Sequence, residues 1–163
     1  MLKIKLYKCL SAFFLILLIS ACSNIYENGE ELAADTKPYI EEITVDELNM
    51  KIENQEEFLL LDVRQPAEYQ KSNIPGSILM PRGIVEFKIN DDAFWEEEFL
   101  YIPLKEDLII IYCKKGDRGI LATKALTELG FTNVKNLSGG ISSWDPDFNS
   151  GNAEVTESGG CGG

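Results

Sequence analysis

Beyond Tyr39 the chain alternates segments of helical period with short, nearly unbroken apolar runs. Thr44-Val45-Asp46-Glu47 has the spacing of a capping box, and Val45, Leu48 and Ile52 share one face of a helix ending near Glu53. Phe58-Leu59-Leu60-Leu61-Asp62-Val63 has the pattern of a parallel strand buried on both faces. Pro66 suits the first turn of a short helix through Glu68 and Tyr69, and Pro75-Gly76 makes a turn before the brief apolar stretch Ile78-Leu79-Met80. Asp91 to Leu100, with Phe94, Trp95 and Phe99 set among acids, predicts a helix with one solvated face. Leu108 to Tyr112 is the strongest buried-strand signal. Leu121, Ala122, Ala125, Leu126 and Leu129 recur at helical spacing from Ile120 onward until Gly130 stops the helix, and Val134 to Leu137 is a last short strand. Strands interleaved with helices imply an α/β layer fold with a largely parallel sheet. No internal repeat interrupts the pattern.

The two ends follow different rules. Met1 to Ala21 holds Lys3, Lys5 and Lys8, no acid, and then an apolar run of 13 residues from Cys9 to Ala21. That suits a signal-peptide core and falls short of the roughly 20 residues that span a bilayer. The junction Leu18-Ile19-Ser20-Ala21-Cys22 resembles the lipobox of bacterial lipoproteins. The resemblance implies cleavage before Cys22, a diacylglyceryl thioether on its sulfur and an acylated amine, hence an exported protein held on a bacterial membrane by its lipid. The alternative is a plain secretory signal with Cys22 left free, or an uncleaved anchor. Residues 22–38 are polar and acidic, with the composition of a flexible tether whose reach is about 20 Å. The folded domain is expected over residues 39–148, followed by a Gly- and Ser-rich mobile tail, 149–163, that carries Cys161.

Composition narrows the chemistry. A chain of 163 residues allows one domain of ordinary size. Its formal charge of −12 averages two unlike parts: beyond Ala21 stand 12 basic against 27 acidic residues, a net of −15. Such a surface repels a phosphate backbone and excludes nucleic-acid binding driven by net charge. There is no histidine, which removes Cys–His and Ser–His pairs, most zinc and haem sites and the commonest neutral-pH general base. An enzyme built from this composition activates its nucleophile by other means.

Ligands of open α/β sheets sit beyond the carboxyl ends of the strands. After the best strand comes Cys113-Lys114-Lys115-Gly116-Asp117-Arg118-Gly119, leading into the Ile120 helix. A cysteine leaving a buried strand into a tight glycine-containing loop aims its sulfur at clustered backbone N–H groups, which favour an anion. The helix dipole, Lys114, Lys115 and Arg118 add positive potential, so the thiolate is favoured without a histidine. The plainer alternative is a buried, inert thiol beside a solvated basic turn.

Residues from about Ile43 to Trp144 resemble a single-domain rhodanese. The likeness rests on Leu60-Leu61-Asp62-Val63-Arg64 with Pro66, Glu68 and Tyr69, on Ile74-Pro75-Gly76-Ser77, and on the Cys-x-x-Gly-x-Arg loop from Cys113 to Arg118. It continues through Gly130-Phe131, Asn133-Val134 and Leu137-Ser138-Gly139-Gly140-Ile141 to Trp144. The resemblance implies a five-stranded, mainly parallel sheet with helices on both faces, and sulfurtransferase activity through a cysteine persulfide with no metal or organic cofactor. It makes Cys113 the sulfur carrier, the amides of Lys114 to Gly119 the cradle of the persulfide, Arg118 the group that binds or orients the donor, and Asp62 and Arg64 a brace for the loop, with a purely structural cap the alternative for Asp62. Asn73 stands where the family often has histidine, which touches only a supporting hydrogen bond.

The loop is Cys-x4-Arg, one residue shorter than the Cys-x5-Arg cradle of phosphatase and arsenate-reductase relatives, and Tyr112 replaces the histidine typical of phosphatase loops. Those activities are distant alternatives; a nearer one is a non-catalytic module that delivers sulfur to, or docks on, a protein. The two lysines favour an anionic donor, thiosulfate or polysulfide, with a thiol or cyanide as acceptor. Once Cys22 is lipidated and Cys9 removed, Cys113 and Cys161 remain, and the tail thiol is a candidate to resolve a persulfide, protect the thiolate as a disulfide or accept the sulfur. An incidental thiol on a disordered tail is the alternative.

Overall fold

A computed structural model describes residues 25–145. The expected signal segment, Cys22, and the expected tail with Cys161 lie outside the described residues. The strands are β1 (Glu42–Ile43), β2 (Leu59–Asp62), β3 (Ile78–Leu79), β4 (Ile109–Tyr112) and β5 (Val134–Leu137). They form one sheet in the order β1-β5-β4-β2-β3, every neighbouring pair parallel. Parallel neighbours need crossovers, and helices supply them: α2 (Val45–Glu53), α3 (Pro66–Lys71), α4 (Val85–Lys88), α5 (Asp92–Glu97) and α6 (Asp117–Glu128), with α7 (Ile141–Trp144) after β5.

Side-chain alternation along the central strands makes two cores. Ile109, Ile111 and Cys113 point to one side with Leu61, Val63, Trp95, Ala122, Leu126 and Phe131. Ile110 and Tyr112 point to the other with Leu48, Leu60, Ile74, Leu137 and Ile141. β4 is buried at every position, as its unbroken Ile-Ile-Ile-Tyr run requires. Each fully buried Leu or Ile side chain contributes about 1.5–3 kcal/mol. The capping box expected at Thr44 and Glu47 is present and starts α2.

Three expectations need correction. Within and just beyond residues 22–38, where the composition predicts a flexible tether, stand helix α1 (Gly29–Thr36) and a 3-10 turn, Lys37–Tyr39. Asn28 caps α1 by accepting from the Glu31 N–H at 2.8 Å, the Glu31 carboxylate accepts from the Glu27 N–H, and Ala33 and Thr36 are buried where α1 packs on α6. Burial of one small-residue face outweighs the polar composition, and the described body begins well before Tyr39. Second, α6 starts at Asp117, a turn before Ile120, because Gly116 turns the chain with φ +114°. Third, α5 ends at Glu97, short of Leu100; Phe99 adopts a left-handed φ of +57° that closes the helix. No helix among the described residues is long and apolar enough to cross a membrane.

Candidate active site

β2 and β4 pair in register from Leu59–Ile109 to Asp62–Tyr112, so Asp62-Val63-Arg64 and Tyr112-Cys113 leave the sheet side by side at its carboxyl edge. Cys113 is 1% exposed. The Gly116 N–H donates to its Sγ at 3.1 Å, closing the loop on the sulfur. The loop's carbonyls are drawn the other way: the Ile141 N–H donates to the Cys113 oxygen at 2.9 Å and the Ser142 N–H to the Lys114 oxygen at 3.1 Å. The first turn of α7 thus occupies those carbonyls. A ring is left in which an amide of the loop points at sulfur.

Two glycines set that contact. Gly139 and Gly140 have φ of +73° and +61°, and a Cβ on Gly140 would lie 2.3 Å from the Cys113 carbonyl oxygen. Below the ring, a Cβ on Gly119 would lie 2.1 Å from Oδ1 of Asn136 on β5, so the missing side chain lets α6 sit close against the sheet.

Cys113, Lys114, Lys115, Asp117 and Arg118 line one cleft of about 300 Å³. Arg118 reaches from α6 to Glu68 of α3 in a two-pronged pair, Nη1 to Oε2 at 2.7 Å and Nη2 to Oε1 at 2.8 Å. The Arg118 hydrogen bonds hold the Glu68 carboxyl down to about 2, with the Gln65 N–H adding to the same effect against partial burial. Arg118 is in turn held above its usual value, first by Glu68 and with a smaller contribution from Cys113.

Asp62 and Arg64 do not line the cleft; they form a fully buried ion pair beneath it. Arg64 donates from Nε to both Asp62 oxygens at 2.9 Å and from Nη2 to the Ser72 carbonyl at 2.7 Å, and its guanidinium lies 5.5 Å from the centre of the Tyr112 ring. Burial works to lower the Arg64 pKa and Asp62 more than offsets it. The phenol of Tyr112, pushed up by burial, accepts from the Ile74 N–H at 3.1 Å and bonds Ser77 Oγ at 2.8 Å. Asp62 and Arg64 therefore reach Cys113 through Tyr112, its neighbour, and fix the Ser72–Ser77 connection as well. Asn73 donates to the Tyr69 carbonyl at 3.1 Å, a bond local to that connection.

The structure brings the loop residues together as expected and adds five whose part no sequence pattern signals. In the sequence Glu68 stands only in the short helix after Pro66 and among the residues that carry the rhodanese resemblance, with no role given to its carboxylate. Gly139 and Gly140 were visible as a pair without a stated purpose. Glu30, with Gly29, completes the cleft from α1, in the stretch where the composition predicts a tether.

The family model for the rhodanese-like domain matches residues 44–147. A putative mitochondrial thiosulfate sulfurtransferase of Schizosaccharomyces pombe is 33% identical over 94 residues, 56% of this chain and 66% of that protein. A sulfurtransferase of Allochromatium vinosum is 30% identical over 105 residues, 64% of this chain and 88% of that one. Among solved structures, a human single-domain sulfurtransferase superposes with a TM-score of 0.59 at 27% identity, covering 63% of this chain and 93% of its own. The chain spans about two thirds or less of the length of the first curated relatives it matches. The five-stranded parallel sheet, the cysteine loop at its carboxyl edge and a family match over more than half its length place this chain in the rhodanese-like domain family.

Proposed function

We propose that the chain is a sulfurtransferase that carries sulfane sulfur as a persulfide on Cys113, taking it from thiosulfate or a polysulfide. The observation that carries this reading is the Gly116 amide directed at Sγ in a loop whose Cys113 and Lys114 carbonyls are tied back by α7. Amides aimed inward stabilise an anionic sulfur and, one bond further out, the terminal sulfur of a persulfide. Lys114 and Lys115 at the cleft attract the anionic donor, and Arg118, held by Glu68, presents a fixed cation beside the sulfur. The names of the relatives support the same chemistry.

In the first half-reaction the Cys113 thiolate attacks the sulfane sulfur of thiosulfate. A Cys113 S–S bond forms, the donor S–S bond breaks, and sulfite leaves with the electron pair. In the second, cyanide or a thiolate attacks the outer sulfur, and Cys113 departs as the thiolate with which the cycle began. The test is incubation of the protein with thiosulfate, then cyanide, reading intact mass and thiocyanate. A gain of one sulfur atom, discharged by cyanide and absent in Cys113→Ala, is the expected result; no adduct on Cys113 ends the reading.

Location belongs to the proposal as well. The lipobox-like junction supports export and lipid attachment at Cys22, and the second thiol, Cys161, supports a Cys113–Cys161 disulfide. Intact mass under oxidising conditions tests the latter: no linkage, together with unchanged turnover in Cys161→Ser, would end it.

A further inference from the structure

Helix α1 lies outside residues 44–147, which the family model matches, yet Gly29 and Glu30 help to form the cleft that opens on Cys113. The helix is seated, not draped. Ala33 is fully buried, Thr36 nearly so, and Leu32 shares a second small cavity with Leu121 and Ala125 of α6. Its first turn carries two acids. Glu31 is occupied in capping, its carboxylate accepting from the Glu27 N–H at 2.8 Å and its own N–H donating to Asn28. Glu30 is exposed, and no hydrogen bond or ion pair among the described residues engages it. Lys115 is exposed and Lys114 half-buried, and no hydrogen bond or ion pair among the described residues engages either ammonium, while Arg118 is already paired with Glu68. The cleft thus has unpaired ammonium groups from the cysteine loop, the Asp117 carboxylate at the start of α6 and the unpaired Glu30 carboxylate from α1, with the sulfur of Cys113 among them.

We propose that Glu30 is a specificity-determining residue that selects small sulfur compounds bearing an ammonium group near the sulfur, with zwitterionic amino-acid thiols as the preferred acceptor class. An ammonium pairs with Glu30, a carboxylate meets Lys114 or Lys115, and the thiol is left beside Cys113; a cleft of about 300 Å³ admits a molecule of that size. An acceptor that lacks the ammonium leaves Glu30 unpaired, carries a net negative charge into the cleft and is disfavoured. The inference rests on the persulfide reading of Cys113. In the step concerned the acceptor thiolate attacks the outer sulfur of the Cys113 persulfide, and a new S–S bond forms as the Cys113 S–S bond breaks. Its electron pair stays on Cys113 as thiolate, the acceptor leaves as a persulfide, and the proton of the acceptor thiol passes to solvent. The sulfane sulfur changes hands with no net oxidation or reduction.

The experiment loads the full chain with thiosulfate, verifies the added sulfur by intact mass, and measures the second-order rate of discharge by cysteine and by N-acetylcysteine. The ratio of the two rates in the wild type, divided by the ratio in a variant, cancels the intrinsic reactivity of the thiols. Glu30→Gln is expected to lower the ratio about fivefold, the worth of one water-screened ion pair, and Glu30→Lys to lower it further. Both substitutions fall on an exposed side chain, so folding is preserved. A ratio unchanged within about twofold in both variants would overturn the role of Glu30 while leaving the sulfur carrier intact. Failure of Cys113 to gain sulfur in every form overturns the carrier reading and the selectivity with it.

Discussion

Glu68 and Gly140 control the sulfur site without lining the cleft. Glu68 fixes Arg118, and its carboxyl, held down to about 2, remains ionised across any ordinary pH. Because its folded pKa lies below the ordinary value of 4.5, the pair contributes stability that is fully present above pH 4.5 and is lost as pH falls towards 2. Glu68→Gln is expected to cost no more than about 1 kcal/mol at pH 7, since both side chains are partly solvated. Denaturant titrations at pH 7 and pH 3 should show the wild-type advantage shrinking at the lower pH. The same variant frees Arg118, and sulfur loading from thiosulfate should fall about tenfold, the order of a lost positioning contact; unchanged loading would show that Arg118 needs no partner. Glycines divide by what surrounds them. Gly76 has φ +81° with open space about it, so Gly76→Ala should cost about 1–2 kcal/mol of stability and leave sulfur loading intact. Gly140→Ala adds a collision with the Cys113 backbone, about 1–3 kcal/mol more, and should displace the ring and abolish loading.

Between elements, the close seat of α6 on β5 decides how well the loop is held. An alanine in place of a helical glycine ordinarily stabilises, by up to about 1 kcal/mol. Gly119→Ala is expected to do the reverse, losing about 1–3 kcal/mol in a thermal or denaturant melt, because its Cβ meets the buried Asn136 side chain. Asn136→Ala in the same chain should recover part of the loss; a stabilised Gly119→Ala would mean that α6 is free to slide. Much of this architecture was legible. The apolar runs ending at Asp62 and Tyr112 and the Thr44 capping box signal their elements locally, and the Cys113 loop announces itself by cations and glycines in an acidic chain. What escaped depends on partners distant in sequence. β1 has two residues and exists only because β5 pairs with it. Helix α1 has the Asn28 and Glu31 capping signature, but three acids and few large apolar residues hide a face that needs only Ala33 and Thr36 to pack. Glu68 finds Arg118 across fifty residues of chain, a distance no local pattern spans.

For the whole molecule, the folding of α1 alters what a lipid at Cys22 would mean. A tether of some fifteen residues would hold the domain away from the headgroups, whereas only the stretch from Cys22 to Gly29 now separates the proposed lipid from a helix that lines the Cys113 cleft. Seven residue steps reach at most about 25 Å even when fully extended. The mouth of the cleft is therefore expected to lie near the bilayer, where surface potential acts on an anionic donor. An anionic surface at about −30 mV depletes a dianion about tenfold at contact, and less with each Debye length of roughly 8 Å. The lipidated protein in vesicles should therefore take sulfur from thiosulfate several-fold more slowly on anionic than on neutral lipid at low salt, with the difference vanishing in high salt. A soluble form lacking residues 1–22 should show no dependence on vesicle composition. Attachment itself is read from the mature N-terminus by mass: the wild type should begin at an acylated Cys22, and Cys22→Ala should retain the uncleaved leader. An anchored protein with equal rates on both lipids at low salt would place the cleft away from the surface, and an unmodified Cys22 would remove the membrane from the account altogether.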